Sequence, residues 1–131
     1  MNRVFVVLFF SLIFIGCVTW DGRLKVVNNS SYDIYIFYQT SVSKVLDNSH
    51  CMERQLNIIK KGEMMTIPSQ TKWQFLLKDE VKLDIAAFKR EDYENYGTCE
   101  VINRKMFFYK VSLNYEQLEE DNFTVQIEDN L

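Results

Sequence analysis

The chain has 131 residues, with 15 Lys and Arg against 18 Asp and Glu and a formal net charge of −3. This length suffices for one domain with its own core and is short for two. A mildly acidic chain with scattered basic residues argues against a nucleic-acid partner, because such binding needs clustered Lys and Arg. Apolar residues make up 47% and aromatic residues 15%, which favours a globular domain over a disordered chain.

Residues 1–16 form a predicted signal peptide. Arg3 supplies a positively charged start, and an apolar run from Val4 to Ile15 follows, interrupted only by Ser11. The run is shorter than the about 20 apolar residues that cross a membrane, and it lacks the polar face of a core helix. We therefore expect an export signal, with a buried core helix as the alternative.

A cysteine follows this apolar run directly. The string Ile13-Phe14-Ile15-Gly16-Cys17 resembles the lipobox of bacterial lipoproteins, with Phe14 where Leu is usual. The resemblance implies cleavage between Gly16 and Cys17 and acylation of Cys17 by chains of the palmitate type, and two or more chains give stable anchoring. An ordinary signal peptide cut near Gly16, leaving a soluble secreted protein, is the alternative. Without residues 1–16, 14 basic residues face 18 acidic ones, a net charge of −4.

The rest of the chain is predicted to form short strands separated by polar turns. Alternating or continuous apolar runs recur, and clusters of Asn, Asp, Ser and Gly separate them. In chain order, strands are predicted at 24–28, 32–39, 56–59, 64–67, 73–77, 81–88, around 105–111 and at 123–128. The run at 32–39 is apolar on both faces, which predicts a strand that is central in its sheet or half covered by another element.

Two further segments give predictions of their own. Residues 89–97 are mostly charged and predict a loop or one helical turn. Residues 112–118 predict the one short helix, capped by Ser112 or Asn114.

About seven short strands with one short helix near the C-terminus are typical of an all-β, antiparallel β-sandwich. The predicted domains are a signal peptide at 1–16, a lipidated N-terminus with a short tether at 17–22, and the β-sandwich at 23–131.

Two cysteines remain if Cys17 carries lipid. Cys51 and Cys99 would then be an even pair in an oxidising compartment. A disulfide between them would close a loop of about 48 residues and stabilise the fold by about 4 kcal/mol. Two buried free thiols are the alternative, since cysteine also packs as a small apolar residue.

Residues suited to catalysis are few. His50 is the only histidine, and its neighbour Cys51 would face the opposite way on an extended chain. Acidic clusters at 91–94 and 116–121 could supply two carboxylates for a hydrolase, but they lack the spacing of a calcium loop and are typical of solvated surface. We predict no catalytic residue, no metal and no cofactor.

Aromatic residues offer the candidate ligand contacts. Trp73 alternates with polar neighbours and is predicted to be core, while Trp20 lies three residues from Cys17, where a membrane interface is expected. Tyr93 and Tyr96 stand in a charged segment and are the predicted contacts for a ligand.

Three segments of the chain carry a family resemblance. Besides the lipobox, residues 26–30, Val-Val-Asn-Asn-Ser, run into the strand sequence at 33–36, and residues 109–118 read as strand, Ser-Leu and short helix. These pieces resemble small uncharacterised lipoproteins of Bacteroides-type bacteria, although residues 123–125 replace a usual Trp-containing strand. The resemblance implies a sandwich-like fold and a Gram-negative envelope address, and it implies no activity. Surface-exposed lipoproteins of such bacteria carry acidic residues straight after the cysteine, whereas Val18-Thr19-Trp20 follows Cys17, which favours the periplasmic side of the outer membrane over the cell surface.

The sequence therefore predicts a lipid-anchored, non-enzymatic module of the cell envelope that binds a protein or glycan partner. A carboxylate-dependent hydrolase and a structural accessory subunit of an envelope complex are the alternatives.

Overall fold

The computed structural model describes residues 20–43 and 51–129. This part of the chain holds seven strands and three short helices, so the expected strand number is confirmed there, while one helix replaces a predicted strand and another is longer than predicted. In chain order the elements are β1 Lys25–Asn28, β2 Ile34–Thr40, β3 Asn57–Ile59, β4 Met64–Thr66, α1 Trp73–Leu76, β5 Leu83–Lys89, α2 Arg90–Asn103, β6 Tyr109–Leu113, α3 Tyr115–Glu120 and β7 Thr124–Ile127.

The strands form two open sheets. Three strands lie in the order β4-β1-β7, and four lie in the order β3-β2-β5-β6. Every pair is antiparallel except β1 and β7, in which Lys25 lies opposite Thr124 and Asn28 opposite Ile127 in parallel register. The antiparallel prediction is wrong for this pair. Nearly the whole domain separates β1 from β7, so no hairpin constrains their relative direction.

Strand β2 is central, as its two apolar faces predicted. It pairs with β3 on one side and β5 on the other. Ile34 and Ile36 belong to a buried cluster that also contains Val26 of β1 and Val125 of β7, so side chains of both sheets share one core. On the opposite face of β2, Phe37 belongs to a second cluster with Val101 of α2 and other residues.

The turn after β1 is built around one buried amide, that of Asn28. Its Nδ2 donates to the carbonyl oxygens of Tyr32 (2.7 Å) and Ile59 (2.9 Å), and its Oδ1 accepts from the backbone N–H (3.0 Å) and hydroxyl (2.6 Å) of Ser30. The side chain thus fixes the local turn and ties it to β3. The predicted polar turn is confirmed, and the buried amide is satisfied as such groups must be.

Helix α1 stands where a strand was predicted, so that prediction is wrong. Trp73 and Leu77, four residues apart, are 2% and 4% exposed, whereas Phe75 between them is 56% exposed. Apolar residues at positions 73, 75 and 77 fit a two-residue period, but the burial follows the helical spacing. Trp73 is in the core, as expected.

Helix α2 was predicted only as a loop or one turn and is much longer. It begins directly after β5 with Glu91 and Asp92 in its first turn, where negative charge favours a helix. Gly97, with φ 79° and ψ 174°, breaks it into two short pieces. Because α2 continues to Asn103, strand β6 starts at Tyr109, later than the strand predicted around 105–111.

Helix α3 is confirmed near the C-terminus. Asn114 Oδ1 accepts from the Gln117 backbone N–H at 2.9 Å, and Gln117 Oε1 accepts from the Asn114 N–H at 3.0 Å. These reciprocal bonds form a capping box and settle the cap as Asn114.

Candidate functional site

A groove of about 780 Å³ lies where the described chain enters the fold. The chain from Trp20 to Lys25, the start of α1 at Lys72 and Gln74, and the turn at 122–124 line it. We call it the N-terminal groove. It brings together three cationic side chains, those of Arg23, Lys25 and Lys72, against the one carboxylate of Asp21.

The Asp21 carboxylate is the structural centre of this groove and is only 6% exposed. It accepts hydrogen bonds from Arg23 Nε (2.9 Å) and Nη2 (2.7 Å), and from the backbone N–H of Trp73 (3.1 Å). The hydrogen bonds from the Arg23 side chain lower the pKa of Asp21 from 3.8 to about 2, against the raising effect of burial. The carboxylate therefore joins the entering chain to the first residue of α1.

The Asp21 backbone and the Arg23 side chain make further contacts at this connection, which we call the Asp21 junction. Asp21 and Ser69 exchange two backbone hydrogen bonds of 2.7 and 3.1 Å, and the Arg23 guanidinium lies 4.0 Å from the centre of the Phe123 ring. Asp21 was predicted to lie in the tether, and it is packed into the domain.

Large apolar side chains are exposed on the same segments of the chain that line this groove. Trp20 in the groove is 61% exposed, and α1, which supplies Gln74 to the groove, carries Phe75 at 56% and Leu76 at 36% exposure. Phe75 and Leu76 are adjacent in this four-residue helix, so their exposed apolar area lies together.

A second groove, of about 570 Å³, lies at the other end of β1. The turn at 31–33, Lys61, and residues at the start of α2 line it. We call it the α2 groove. Lys25 is the first residue of β1 and lines the N-terminal groove, whereas Asn28 ends β1 and leads within three residues into the α2 groove.

The α2 groove has balanced charge, unlike the N-terminal groove. Its cations are Lys61, Lys89 and Arg90, and its carboxylates are Asp33, Glu91 and Glu94. Arg90 pairs with Glu94 at 2.8 Å and with Asp33 at 3.3 Å, and all three side chains are substantially exposed.

An aromatic ring completes the wall of the α2 groove. The Lys89 ammonium lies 4.2 Å from the centre of the Tyr32 ring, and Tyr32 is 43% exposed. This groove offers donors, acceptors and an aromatic face together.

The predicted pair Cys51 and Cys99 is joined by a disulfide in the structure. Their Cα atoms are 5.5 Å apart, within the range that such a bond requires. Beside it, the Cys99 backbone N–H donates to Glu53 Oε1 at 3.1 Å, and the Thr98 hydroxyl donates to the Arg54 carbonyl oxygen. The bridge therefore fastens the irregular segment before β3 to the second half of α2.

Tyr93 and Tyr96, the predicted ligand contacts, have different surroundings. Tyr93 stacks on Tyr35 with ring centres 4.0 Å apart, and its hydroxyl accepts from the Leu56 N–H at 3.0 Å. Tyr96 is 43% exposed, and the Arg104 guanidinium lies 4.8 Å from its ring centre. Neither residue lines the α2 groove, and Tyr93 is engaged in packing.

The two acidic clusters lie on different elements. Glu91 and Glu94 are exposed on α2, and Glu94 is paired with Arg90. Glu116, Glu119 and Glu120 are exposed on α3. Glu91 and Glu94 line the α2 groove, and none of the α3 carboxylates lines that groove, so the hydrolase alternative receives no support from their placement.

The other predicted site residues, Gly16 and Cys17, and the lone His50, lie outside the described residues. Within 20–43 and 51–129, no group of three or more His, Cys, Asp or Glu side chains is placed to hold a metal ion. A search for membrane spans over that same part of the chain finds no helix with the length and apolar character required.

Comparison with protein-family models, with curated proteins and with solved structures finds no significant match to this chain.

Proposed function

We propose that this chain is a lipid-anchored, non-enzymatic module of the bacterial cell envelope, held to the periplasmic side of the outer membrane by acyl chains on Cys17. Its domain is a β-sandwich that binds a protein or glycan partner. The lipobox at 13–17 and the resemblance to small Bacteroides-type lipoproteins support the anchor and its address. The core shared by both sheets supports the sandwich, with β1 and β7 as its parallel pair.

The observation that carries this proposal is the position of Asp21. It is buried and bonded to Ser69 and Trp73, and it follows Cys17 by four residues. Four consecutive Cα–Cα steps span at most about 15 Å. An acylated Cys17 would therefore hold the N-terminal groove close to the membrane and direct the other end of β1 away from it.

The α2 groove is the proposed contact for the partner. It lies at the end of β1 away from Lys25, and it combines three cations, three carboxylates and the Tyr32 ring. Aromatic and charged groups together suit polar partners, since the ring supplies contact area and the charges supply direction. A protein surface or a glycan offers the matching donors and acceptors.

The anchor is tested by feeding labelled fatty acid to cells that express the wild type or Cys17→Ser. We expect label in the wild-type protein and none in the variant, and a Cys51→Ser variant, matched in chemistry, should keep the label. Equal label in the wild type and Cys17→Ser would contradict the lipid anchor.

The partner site is tested by photo-crosslinking in the envelope. A photoreactive residue replaces Asn95, which is exposed and lines the α2 groove, and the control places it at Glu116, exposed on α3. We expect a discrete adduct from position 95 and none from position 116. Adducts from position 116 alone would place the partner elsewhere and contradict the proposed site.

A further inference from the structure

We propose that the N-terminal groove is a second membrane contact, which docks on the anionic headgroups of phospholipids so that the domain lies with this end against the bilayer. This inference rests on the proposed anchor at Cys17 and deepens it. It assigns the groove to a lipid surface and leaves the α2 groove free for the partner.

The charge of the groove is the first argument. The whole chain is acidic, with a net charge of −3, yet this groove collects Arg23, Lys25 and Lys72 against Asp21 alone. Lys25 and Lys72 are exposed, and neither forms an ion pair with another residue of 20–43 or 51–129. Basic side chains held near a bilayer are attracted to its anionic lipids.

The apolar side chains around the groove are the second argument. Trp20 lines the groove with Lys72 and is 61% exposed, and Phe75, 56% exposed, follows the groove residue Gln74 in α1. Aromatic side chains beside cations are the composition of surfaces that sit at the headgroup level, where the rings enter the apolar boundary and the cations meet phosphate. A soluble acidic ligand would satisfy the cations and leave these rings in water.

The reach of the chain is the third argument. Three Cα–Cα steps separate Cys17 from Trp20, so an acylated Cys17 keeps Trp20 within about 11 Å of the lipid attachment. That distance is close to the Debye length of about 8 Å at physiological ionic strength. Trp20 therefore stays within about one and a half Debye lengths of the lipid attachment, and docking becomes an intramolecular step with a high effective concentration.

The hydrogen bonds of Asp21 favour one orientation of the docked domain on the membrane. Because Asp21 binds both Arg23 and the backbone N–H of Trp73, the Arg23 side chain and the start of α1 keep one relative arrangement. A flexible tether would leave the orientation of the domain open. This junction sets which face meets the lipid.

The test uses the lipidated mature protein on vesicles that carry brominated acyl chains, with tryptophan fluorescence as the signal. Trp73 is 2% exposed in the core, so a Trp20→Phe variant gives the background to subtract. One set of vesicles is pure phosphatidylcholine, and the other contains equal parts of phosphatidylcholine and phosphatidylglycerol. Flotation in the same samples reports whether the protein is anchored.

We expect strong quenching of Trp20 fluorescence on the anionic vesicles and weaker quenching on phosphatidylcholine. On the anionic vesicles, the quenching should decrease as salt is added. Lys25→Glu combined with Lys72→Glu should lower the ratio of docked to free domain at least about tenfold. The control, Lys60→Glu combined with Lys105→Glu, carries the same charge change at exposed residues outside both grooves and should quench like the wild type.

Quenching equal on both vesicle types and independent of salt, with flotation intact, would overturn the docking and leave the anchor standing. Loss of quenching on addition of inorganic phosphate, at constant ionic strength, would show a site for a free anion and would also overturn it. Failure of the protein to float would instead refute the anchor itself. The salt series needs no variant, so it decides even if the double substitution does not fold.

Discussion

The two ends of β1 hold the same kind of ion pair in different surroundings. At the N-terminal groove, Asp21 is 6% exposed and accepts two hydrogen bonds from the Arg23 side chain. At the α2 groove, Arg90 is shared between Asp33, 31% exposed, and Glu94, 47% exposed. Water screens the exposed pairs, whereas a buried carboxylate depends on every partner it has. Burial, more than the residue types, decides what each pair contributes.

Under the proposed function, this difference corresponds to two tasks, anchoring and partner binding. The Asp21 junction spans 52 residues of sequence to reach Trp73 and fixes the chain that leads to the proposed anchor. The exposed charges around Arg90 can change partners at little cost, which suits a surface that meets another molecule. Rigidity at one end and exchangeable polar contacts at the other are what an anchored binding module needs.

Removal of the disulfide should give the largest effect on stability, because α2, one wall of the α2 groove, is fastened by a covalent link. Cys51→Ala combined with Cys99→Ala should lower the free energy of unfolding by about 4 kcal/mol, as expected for a loop of 48 residues. Denaturant unfolding with and without reductant measures it. Equal free thiol counts in the two conditions would show that the bridge does not form in solution.

Substitution of Asp21 should have the next largest effect. Asp21→Asn keeps the shape but weakens the bonds to Arg23 and Trp73, and we expect a loss of about 2 kcal/mol. The matched variant is Asp33→Asn at the other end of β1, whose loss should be much smaller. Urea unfolding of both variants compares the two ends directly, and equal losses would remove the distinction between them.

The pH dependence of stability should follow the same carboxylate. The pKa of Asp21 is lowered from 3.8 to about 2 in the folded state, so its contribution is complete above pH 4 and is lost as the pH falls to about 2. The shift corresponds to about 2 kcal/mol. As the pH is lowered from 4 to 2, the denaturant midpoint of unfolding should fall more steeply for the wild type than for Asp21→Asn. Parallel curves would show that Asp21 ionises alike in the folded and unfolded states.

Substitution of two glycines should give the smallest difference in stability. Gly97 in α2 has φ 79°, and an added Cβ would lie 3.4 Å from Glu53 Oε2. Gly97→Ala should therefore cost about 1–2 kcal/mol. Gly22 in the N-terminal groove has no atom within 4 Å of an added Cβ, so Gly22→Ala should leave the melting temperature nearly unchanged. A larger loss of stability in Gly22→Ala than in Gly97→Ala would contradict the order expected from the backbone conformation.

Local patterns predicted most of the strands, because alternation and polar turns are properties of neighbouring residues. Strand β2 was recognised as central since both of its faces are apolar. Helix α1 was missed because its first N–H is bound by Asp21, 52 residues earlier, a cap that no local pattern reveals. Helix α2 was missed because few of its side chains are buried, which leaves weak periodicity, and because Gly97 interrupts it.

The residues that line the grooves could likewise not be predicted from local sequence patterns. Lys25 and Lys72 are far apart in sequence, so their meeting in the N-terminal groove depends on the fold. The available signal was the pair Arg23 and Lys25 just after the predicted tether. Cys51 and Cys99 could be proposed as a pair by counting, whereas the approach of their Cα atoms could not be derived from sequence.

The orientation of the anchored domain tests the central claim most directly. A spin label is attached through Gln74→Cys in the N-terminal groove or through Asn95→Cys in the α2 groove, both exposed positions. The lipidated protein is placed on vesicles that contain anionic phospholipid and a lipid with a nickel chelate on its headgroup. We predict strong relaxation of the label at position 74 and little at position 95. Equal relaxation at both positions, or the reverse order, would contradict the assignment of the two ends.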